Sequence, residues 1–334
     1  MKTSSSNGDM AGGKKPSPVH DQQGEEAIRP DLAEVIKRHA FGLDEQRPDV
    51  VELRQKKNQR TARAYINDLF DADSFIEYGA LAIAAQRSRR SEEDLIRKTP
   101  ADGLIAGIGL INSSLYGEEK ARCMTLAYDY TVLAGTQGFF NHKKMDRMLN
   151  LAHERRLPVV LFAEGGGGRP GDVDKDRIRS TGLDLTTFSL FGGLSGLVPV
   201  VGIVTGFCFA GNAALLGCCD VIIATRDSNI GMGGPVMIEG GGLGVFRPEA
   251  IGPIDEQTQN GVVDIVVADD REAVTMARRY LSYFQGDTPQ WTAADQRLLR
   301  RLVPENRRRV YDIHKVIKGI ADTKLAQAFC QHFS

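Results

Sequence analysis

Three short apolar runs limit the folds open to this chain, because helical patterns separate them. The runs are residues 158–163, 198–206 and 220–225, and each has the length of a strand that is buried on both faces. Helical patterns fill residues 185–197 and 210–219 between them. Buried strands that alternate with helices predict parallel strands joined by crossovers. The expected fold class is therefore α/β.

Two further strands and a helix precede this alternation. Residues 102–112 and 121–135 have the composition of strands, and the polar turn "SSLYGEEK" joins them. Residues 141–157 form an amphipathic pattern with Met145 and Met148 on one face, which predicts a helix. The sequence thus predicts two strands and a helix ahead of the first parallel crossover.

The amino-terminal region differs in composition from the rest. Residues 1–27 are rich in Ser, Gly, Lys and Pro, which predicts a disordered tail, and residues 28–58 read as a helical extension. Residues 50–79 read as one long, strongly basic helical region that ends in an acidic turn. We expect this charge run to be a solvated or inter-subunit face and not a nucleic-acid site.

Composition excludes several classes of function. The chain has 334 residues, with 42 Lys and Arg against 43 Asp and Glu, so no basic field favours nucleic acid or an anionic membrane. The amino terminus lacks the apolar core of a signal peptide, and no apolar segment reaches membrane-spanning length. We therefore expect a soluble cytoplasmic protein with reduced thiols and no zinc site. Its five cysteines contain no CxxC pair: Cys123, Cys208, Cys218, Cys219 and Cys330.

Glycines follow two of the predicted strands, where parallel α/β sheets bind their ligands. The run Gly165–Gly168 directly follows the first strand, and "TGFCFAGNA" (205–213) follows the second and opens a helix. Glycines at such turns leave peptide N–H groups unhindered by Cβ atoms. Two N–H groups that converge on one point make an oxyanion hole, which stabilises charge developing on a carbonyl oxygen. The alternative interpretation is a flexible surface loop followed by a tightly packed helix start.

Other candidate motifs do not fit a site. "GGKK" (12–15) lacks the strand and the Ser or Thr of a phosphate-binding loop, and "EGGGLG" (239–244) lacks the context of a dinucleotide site. We interpret the latter as a surface loop. His142 and His153 lie eleven residues apart on one helix, so we expect two solvated side chains and no shared metal.

Several segments resemble a known family. "GFCFAGNAALLGCCDVIIATRDSNIGM" (206–232) resembles the signature of the crotonase superfamily. More closely, the chain resembles the amino-terminal half of the carboxyltransferase (beta) component of biotin-dependent acyl-CoA carboxylases. The matching pieces appear in order across 59–285, and residues 303–317 look like the connector that leads into a second half. They are "QRTARAYINDLFDADSFIEYG", "DYTVLAGTQGFFNHKKMDRMLNLAHERRLPVV", "EGGGGR", "GFCFAGNA", "GMGGP" and "GVVDIVVADDREAVTMARRYLSYF".

The resemblance implies a crotonase-like ββα spiral with flanking helices and an acyl-CoA thioester substrate. By that resemblance, the backbone N–H groups of Gly166 and Gly167 are catalytic and hold the thioester oxygen while the α-carbon becomes an enolate. The other residues expected to bind substrate are Gly165, Gly168, Arg169, Ala210 and Gly211. In the family, carboxybiotin delivered on a partner protein releases carbon dioxide, and the biotin ring nitrogen takes the α-proton. No side-chain base and no metal are then required in this chain.

A hydratase of the same superfamily is the first rival, since it would need two glutamates. The corresponding positions here are Ala214 and a residue near Gly234, and neither is acidic. Alanine cannot transfer a proton, so we set hydratase chemistry aside. Glu164 is the remaining carboxylate near the loop, and we expect it to fix the loop by accepting backbone N–H bonds.

The chain departs from the family in length. Residues 286–334 leave room for a connector and a carboxy-terminal helix but not for a second, biotin-binding carboxyltransferase half. The expected partners are therefore such a half, a biotin carboxyl carrier or biotin carboxylase subunit, and further copies in a homo- or hetero-oligomer. Three hypotheses stay open: the acyl-CoA half of a carboxyltransferase, a decarboxylase of malonyl-type thioesters, and a non-catalytic acyl-CoA-binding or assembly subunit.

Overall fold

Nine strands form two sheets in the part of the chain that the computed structural model describes, residues 28–172, 174, 185–287 and 294–321. The larger sheet has seven strands in the order β1-β2-β3-β4-β5-β7-β9, and β6 and β8 form a second sheet. The first two pairings are antiparallel, and every later pairing is parallel. The strands are β1 (Ile76–Tyr78), β2 (Leu104–Leu110), β3 (Arg122–Tyr128), β4 (Val159–Phe162), β5 (Val200–Val204), β6 (Phe207–Phe209), β7 (Val221–Thr225), β8 (Asn229–Gly231) and β9 (Ile265–Val267).

Fourteen α-helices accompany these strands in the described residues, and helices that follow β3, β4 and β5 supply the crossovers to the next parallel strand. The helices are α1 (Pro30–Ala40), α2 (Pro48–Gln55), α3 (Ala62–Leu69), α4 (Glu92–Lys98), α5 (Ser113–Tyr116), α6 (Glu118–Ala121), α7 (Phe139–Arg155), α8 (Thr187–Gly192), α9 (Gly211–Leu216), α10 (Pro235–Gly240), α11 (Ile254–Gln259), α12 (Asp270–Ser282), α13 (Leu299–Leu302) and α14 (Ile313–Ile320).

Side chains of the central strands point alternately to two apolar cores. In β4, Val159 and Leu161 face one core while Val160 and Phe162 face the other, as the two-residue period of a strand requires. Helices α7, α8 and α9 cover the first face, and α3 and α12 cover the second. All four residues of β4 are buried, which explains why the strand is a continuous apolar run. The predicted strand-and-helix alternation is thus present.

The region 50–79 was predicted to be helical along its length, but the structure divides it into helices, turns and a strand. Asn58 adopts a left-handed φ of 54° and ends the first helical stretch. Thr61 then caps α3, where its hydroxyl oxygen accepts a hydrogen bond from the Ala64 N–H at 3.1 Å. Residues of β1 pair with β2 instead of continuing a helix. The prediction of a helical region over all of 50–79 is therefore wrong, because local caps and strand pairing divide the segment.

The same segment was also expected to present a solvated or inter-subunit basic face, but its central arginines pair with carboxylates of this chain instead. Arg54 is buried and bonded to Glu164, Arg60 contacts Asp270, and Arg63 contacts Glu77. These arginines join distant parts of the chain through ion pairs. A sequence displays the charge of such residues but not their partners.

Several boundaries are shorter than the patterns suggested. The helix expected over 185–197 is limited to α8, and the one expected over 210–219 is limited to α9. The chain divides into a unit of residues 1–37 and a unit of residues 38–334. The predicted disordered tail, 1–27, lies outside the described residues, as does the end of the chain beyond residue 321. Among the described helices, none combines the length and hydropathy needed to cross a bilayer.

Candidate active site

Both glycine turns lie side by side at the carboxyl ends of β4 and β5. The Gly165 N–H donates to the Phe207 carbonyl at 2.8 Å, and the Phe209 N–H donates to the Gly165 carbonyl at 2.9 Å. A Cβ atom added at Gly167, whose φ is +86°, would lie 2.6 Å from the Ala210 Cβ. Glycine is therefore required at Gly167 by both its conformation and its contact. The structure brings the predicted residues of the two turns together.

The directions of the peptide N–H groups differ within the run. The Gly166 N–H donates to the Ala134 carbonyl at 3.0 Å, and the Gly167 N–H donates to Asn212 Oδ1 at 3.0 Å. Within the described residues, the amide nitrogens of Gly168 and Gly211 have no hydrogen-bond acceptor. Gly211 begins α9, where the first N–H groups of a helix have no intrahelical partner. Among the residues that the sequence predicts at the site, the backbone donors left available to a ligand are thus those of Gly168 and Gly211.

A third loop, residues 133–137, lies against the glycine run. None of its residues was predicted to belong to the site. Leu133, Ala134 and Gly135 have φ values of 51°, 55° and 61°, so two non-glycine residues adopt the left-handed conformation in succession. Such residues are uncommon and cluster at functional sites. Ala134 supplies the acceptor for Gly166, and the Gln137 N–H donates to the Gly167 carbonyl at 2.7 Å. This loop fixes the glycine run from its second side.

Two buried carboxamides line the convergence of the three loops. Gln137 is 4% exposed, and its Nε2 donates to the Tyr128 hydroxyl at 3.1 Å. A Cβ atom at Gly211 would lie 2.2 Å from Gln137 Oε1, so glycine is needed there for close approach. Asn212 is fully buried and bonds Gly167. Neither Gln137 nor Asn212 was predicted to belong to the site. The signal that could have identified them is a carboxamide side chain directly beside a glycine.

Arg169 lies behind the loop, and its side chain is 4% exposed. Its guanidinium forms ion pairs with Asp102 and Asp172, and its Nη2 donates to the Thr136 carbonyl at 2.7 Å. Burial raises the pKa of Asp102, and the charge of Arg169 opposes that rise. In this conformation Arg169 holds the loop against the 136–138 segment. Direct contact between Arg169 and a substrate stays a prediction.

Glu164 has a different partner from the one expected. Its two carboxylate oxygens accept hydrogen bonds from Arg54 Nη1 and Nη2, each at 2.8 Å, and both side chains are buried. Burial raises the pKa of Glu164, and the Arg54 charge opposes the rise. The predicted contact with backbone N–H groups is therefore wrong. A guanidinium presents two parallel donors to a carboxylate, which one peptide N–H cannot do.

His142 also differs from expectation, because it is buried and not solvated. Its Nδ1 lies 2.9 Å from the Thr187 hydroxyl, which links α7 to α8. Burial lowers the pKa of the His142 imidazole, and Asp146 partly opposes this. His153 is exposed as predicted. Among the described residues, no three His, Cys, Asp or Glu side chains converge as metal ligands would.

A basic cleft of about 560 Å³ adjoins the third loop. It is lined in part by Thr131 and Leu133, which lie three residues and one residue before Ala134, the acceptor for Gly166. Its lining combines four cationic side chains, each in an ion pair with a carboxylate, with one aromatic ring and the carboxylate of Asp49. The residues with these properties are Arg47, Arg90, Arg97, Lys98 and Phe41.

Comparison with known proteins identifies the family. The sequence profile of the carboxyl transferase domain family matches residues 54–333. The chain belongs to the carboxyl transferase family. Family membership confirms the resemblance seen in the sequence, and the solved relatives below confirm the crotonase-like fold.

Three relatives illustrate this membership. The beta5 subunit of a biotin-dependent acetyl-/propionyl-CoA carboxylase from Mycobacterium tuberculosis is 27% identical over 315 residues, which cover 89% of this chain and 55% of that protein. A single-chain, multi-domain long-chain acyl-CoA carboxylase of known structure is 60% identical with a TM-score of 0.81, over 88% of this chain and 29% of that one. The transcarboxylase 12S structure matches with a TM-score of 0.65 at 24% identity, over 88% of this chain and 55% of that one, and shares the fold.

The chain spans about half the length of the curated relatives it matches. The matched portion includes the glycine run, the third loop and the start of α9. The three loops described above therefore all lie within the family domain.

Proposed function

We propose that this chain is the acyl-CoA-binding half of a biotin-dependent carboxyltransferase. The observation that carries the proposal is the convergence of two glycine turns at the edge of a parallel sheet, with free N–H groups at Gly168 and Gly211. Donors placed in this way suit an oxygen that gains negative charge. Membership of the carboxyl transferase family supports the reaction type.

In the proposed reaction, the thioester oxygen accepts hydrogen bonds from Gly168 and Gly211 as the α-carbon loses its proton. Gly166 and Gly167, the donors expected from the sequence, shape the turn while they remain bonded to Ala134 and Asn212. Each such donor lowers the transition-state energy by about 2.7–4 kcal/mol. The negative charge is thereby held on oxygen while the carboxyl group reaches the α-carbon.

Carboxybiotin supplies the carboxyl group and the base in this proposal. A partner carries it, because a biotin group that shuttles between subunits must be covalently attached to a carrier. We place the biotin-binding surface on a second carboxyltransferase half, as the resemblance to this family implies. We also expect the chain to form a homo- or hetero-oligomer. The described cysteines Cys123, Cys208, Cys218 and Cys219 are free thiols, which agrees with a cytoplasmic location.

We infer that the substrate is a long-chain acyl-CoA. The 60% identical neighbour is a long-chain acyl-CoA carboxylase, and that identity covers 88% of this chain. In the basic cleft beside the third loop, the phosphates of coenzyme A would take the place of Asp94 and Glu93, which now pair with Arg90, Arg97 and Lys98. The phosphates and the thioester then occupy neighbouring parts of one surface.

A carboxyl-transfer assay tests the proposal. The full chain is mixed with a long-chain acyl-CoA and a carboxybiotin-loaded carrier, with and without a carboxyltransferase chain that contains the second half. We expect labelled malonyl-type product only when that chain is present. Steady release of carbon dioxide from a malonyl-type thioester without biotin would instead select a decarboxylase. Acyl-CoA binding without either reaction would select a binding subunit.

A further inference from the structure

Asn212 carries a fully buried carboxamide between the two glycine turns. Its backbone belongs to the first turn of α9, directly after Gly211. Its Oδ1 accepts the Gly167 N–H at 3.0 Å, and its Nδ2 donates to the Gly135 carbonyl at 3.3 Å. One side chain therefore connects α9, the glycine run and the third loop.

The space for this carboxamide exists because the glycine run lacks side chains. A Cβ atom at Gly165 would lie 2.2 Å from Asn212 Nδ2 and 2.3 Å from the Gly135 carbonyl oxygen. Any other residue at Gly165 would expel the carboxamide from its position. Gly165 therefore serves the contact with Asn212.

Two peptide planes on either side of Gly167 are fixed by different groups. Asn212 Oδ1 holds the N–H of the peptide between Gly166 and Gly167. The Gln137 N–H holds the carbonyl of the next peptide, between Gly167 and Gly168. In a trans peptide the N–H points opposite to the C=O, so the Gly168 N–H is directed away from Gln137.

Without Asn212 the first of these planes would lose its anchor. Gly167 has no Cβ atom and accepts both signs of φ, so its peptide can rotate at little steric cost. A buried N–H without an acceptor also favours rearrangement toward any available oxygen. The Gly168 donor would then be held by Gln137 alone, and the hydrogen bond that ties the glycine run to α9, where Gly211 lies, would be lost.

We propose that Asn212 is a positioning residue that sets the spacing of the Gly168 and Gly211 donors around the thioester oxygen. The inference rests on the proposed function, since it assumes that this oxygen binds at the two turns. Asn212 acts through its bonds to Gly167 and Gly135 and makes no contact with the substrate.

The test compares two ligands that differ only at the reacting carbonyl. Calorimetry measures binding of a long-chain acyl-CoA and of the matching alkyl-CoA thioether, which lacks the carbonyl oxygen, to the full chain. We expect the wild type to prefer the thioester. We expect Asn212→Ala to weaken thioester binding about tenfold, as the loss of a well-placed hydrogen bond would, and to leave thioether binding unchanged.

Infrared spectroscopy of a ¹³C-labelled thioester carbonyl gives an independent reading. Hydrogen bonds from the two turns lower the stretching frequency of the bound carbonyl in the wild type. In Asn212→Ala we expect this frequency to return toward its value in water. Asn212→Ser, whose hydroxyl is too short to reach the Gly167 N–H, provides a second variant with the same expectation.

Asn229→Ala is the matched control, because Asn229 is also a buried asparagine with two backbone partners, but it lies in β8. It should lose stability and keep the preference for the thioester. The inference is overturned if Asn212→Ala retains both the preference and the carbonyl shift, or if it weakens both ligands equally. Failure of the wild type to bind either ligand would overturn the proposed function and the inference with it.

Discussion

At Ala210 the backbone adopts a conformation that side chains disfavour. Its φ and ψ are 50° and −119°, and it lies at the start of α9 where the second glycine turn meets Gly167. Positions of this kind cost about 1–3 kcal/mol and persist where the surrounding structure imposes them. The strain lies directly beside the free N–H of Gly211. The protein thus maintains an unfavourable backbone at the point where its two turns meet.

Replacement of Ala210 by glycine should relieve this strain. We expect Ala210→Gly to raise the free energy of unfolding by about 0.5–1 kcal/mol, because glycine adopts positive φ readily. Urea denaturation followed by circular dichroism measures the change. The control is Ala214→Gly inside α9, which should lower stability by about 1 kcal/mol. Equal losses in both variants would contradict the assignment of strain to Ala210.

Arg54 and Glu164 form a second feature at the scale of residues. Removal of one partner leaves a buried charge without compensation, which typically costs about 3–5 kcal/mol. We expect Arg54→Met to lose stability in this range at pH 7 by urea denaturation. Adding Glu164→Gln to Arg54→Met should recover much of the loss, because the buried charge is then absent.

The effect of Arg54→Met should also depend on pH. Burial raises the pKa of Glu164, so the folded state favours the protonated carboxyl. Stability of the variant should therefore increase as the pH falls from 7 toward the ordinary glutamate value. The exposed pair of Arg97 with Glu93 gives a control, and Arg97→Met should change stability by less than about 1 kcal/mol. A pH-independent loss in Arg54→Met would disagree with this account.

Among the elements, α7 and α8 are joined by a buried polar contact. His142 on α7 meets the Thr187 hydroxyl on α8, which also donates to Asp146 on α7. The buried imidazole and the buried hydroxyl each thereby gain a hydrogen-bond partner. This contact fixes α8 over the first core, between β4 and β5 in the chain.

Because of His142, the free energy of unfolding of the wild type should decrease as the pH is lowered. Burial lowers the pKa of this imidazole below its usual 6.5, so the unfolded chain binds more protons than the folded one in that range. Unfolding is then favoured as the pH falls through about 6.5 toward the lower folded value. His142→Asn should flatten the pH dependence of urea unfolding between pH 7.5 and 5.5. His153→Asn, which changes an exposed side chain, should keep the wild-type slope.

Across the whole molecule, one sheet separates two apolar cores. Neighbouring residues of β4 face opposite cores, so α7 on one side and α12 on the other share the same strands. Loss of either layer would expose one face of the sheet. We therefore expect the described part of the large unit to unfold cooperatively.

A substitution in one layer should consequently affect the other. Leu149 on α7 is fully buried, and Leu149→Ala should cost about 2–5 kcal/mol. In native-state hydrogen exchange, we expect the opening free energy of the α12 amides to fall by the same amount. Leu115→Ala, at a 66% exposed position, should leave exchange unchanged. Unaltered protection of α12 in Leu149→Ala would indicate that the two layers open separately.

The pattern of apolar residues and the placement of glycines were enough to predict the buried strands and the glycine turns that follow them. The runs at 158–163, 198–206 and 220–225 predicted buried parallel strands, because a strand covered on both faces has no polar side. Glycines after those strands predicted that two turns would lie side by side, because parallel strands end at a common edge. These features depend on local sequence and on general rules of sheet architecture.

Tertiary structure alone decided which groups meet. Arg54 and Glu164, which pair with each other, are 110 residues apart in the sequence, and no local pattern pairs them. Asn212 and Gly167 are likewise distant in the sequence. Their hydrogen bond occupies the N–H of Gly167, one of the predicted donors, while the N–H of Gly168 has no acceptor. The direction of a peptide N–H depends on contacts between distant segments. Sequence therefore located the loops, and long-range packing determined which of their amides are bonded within the protein.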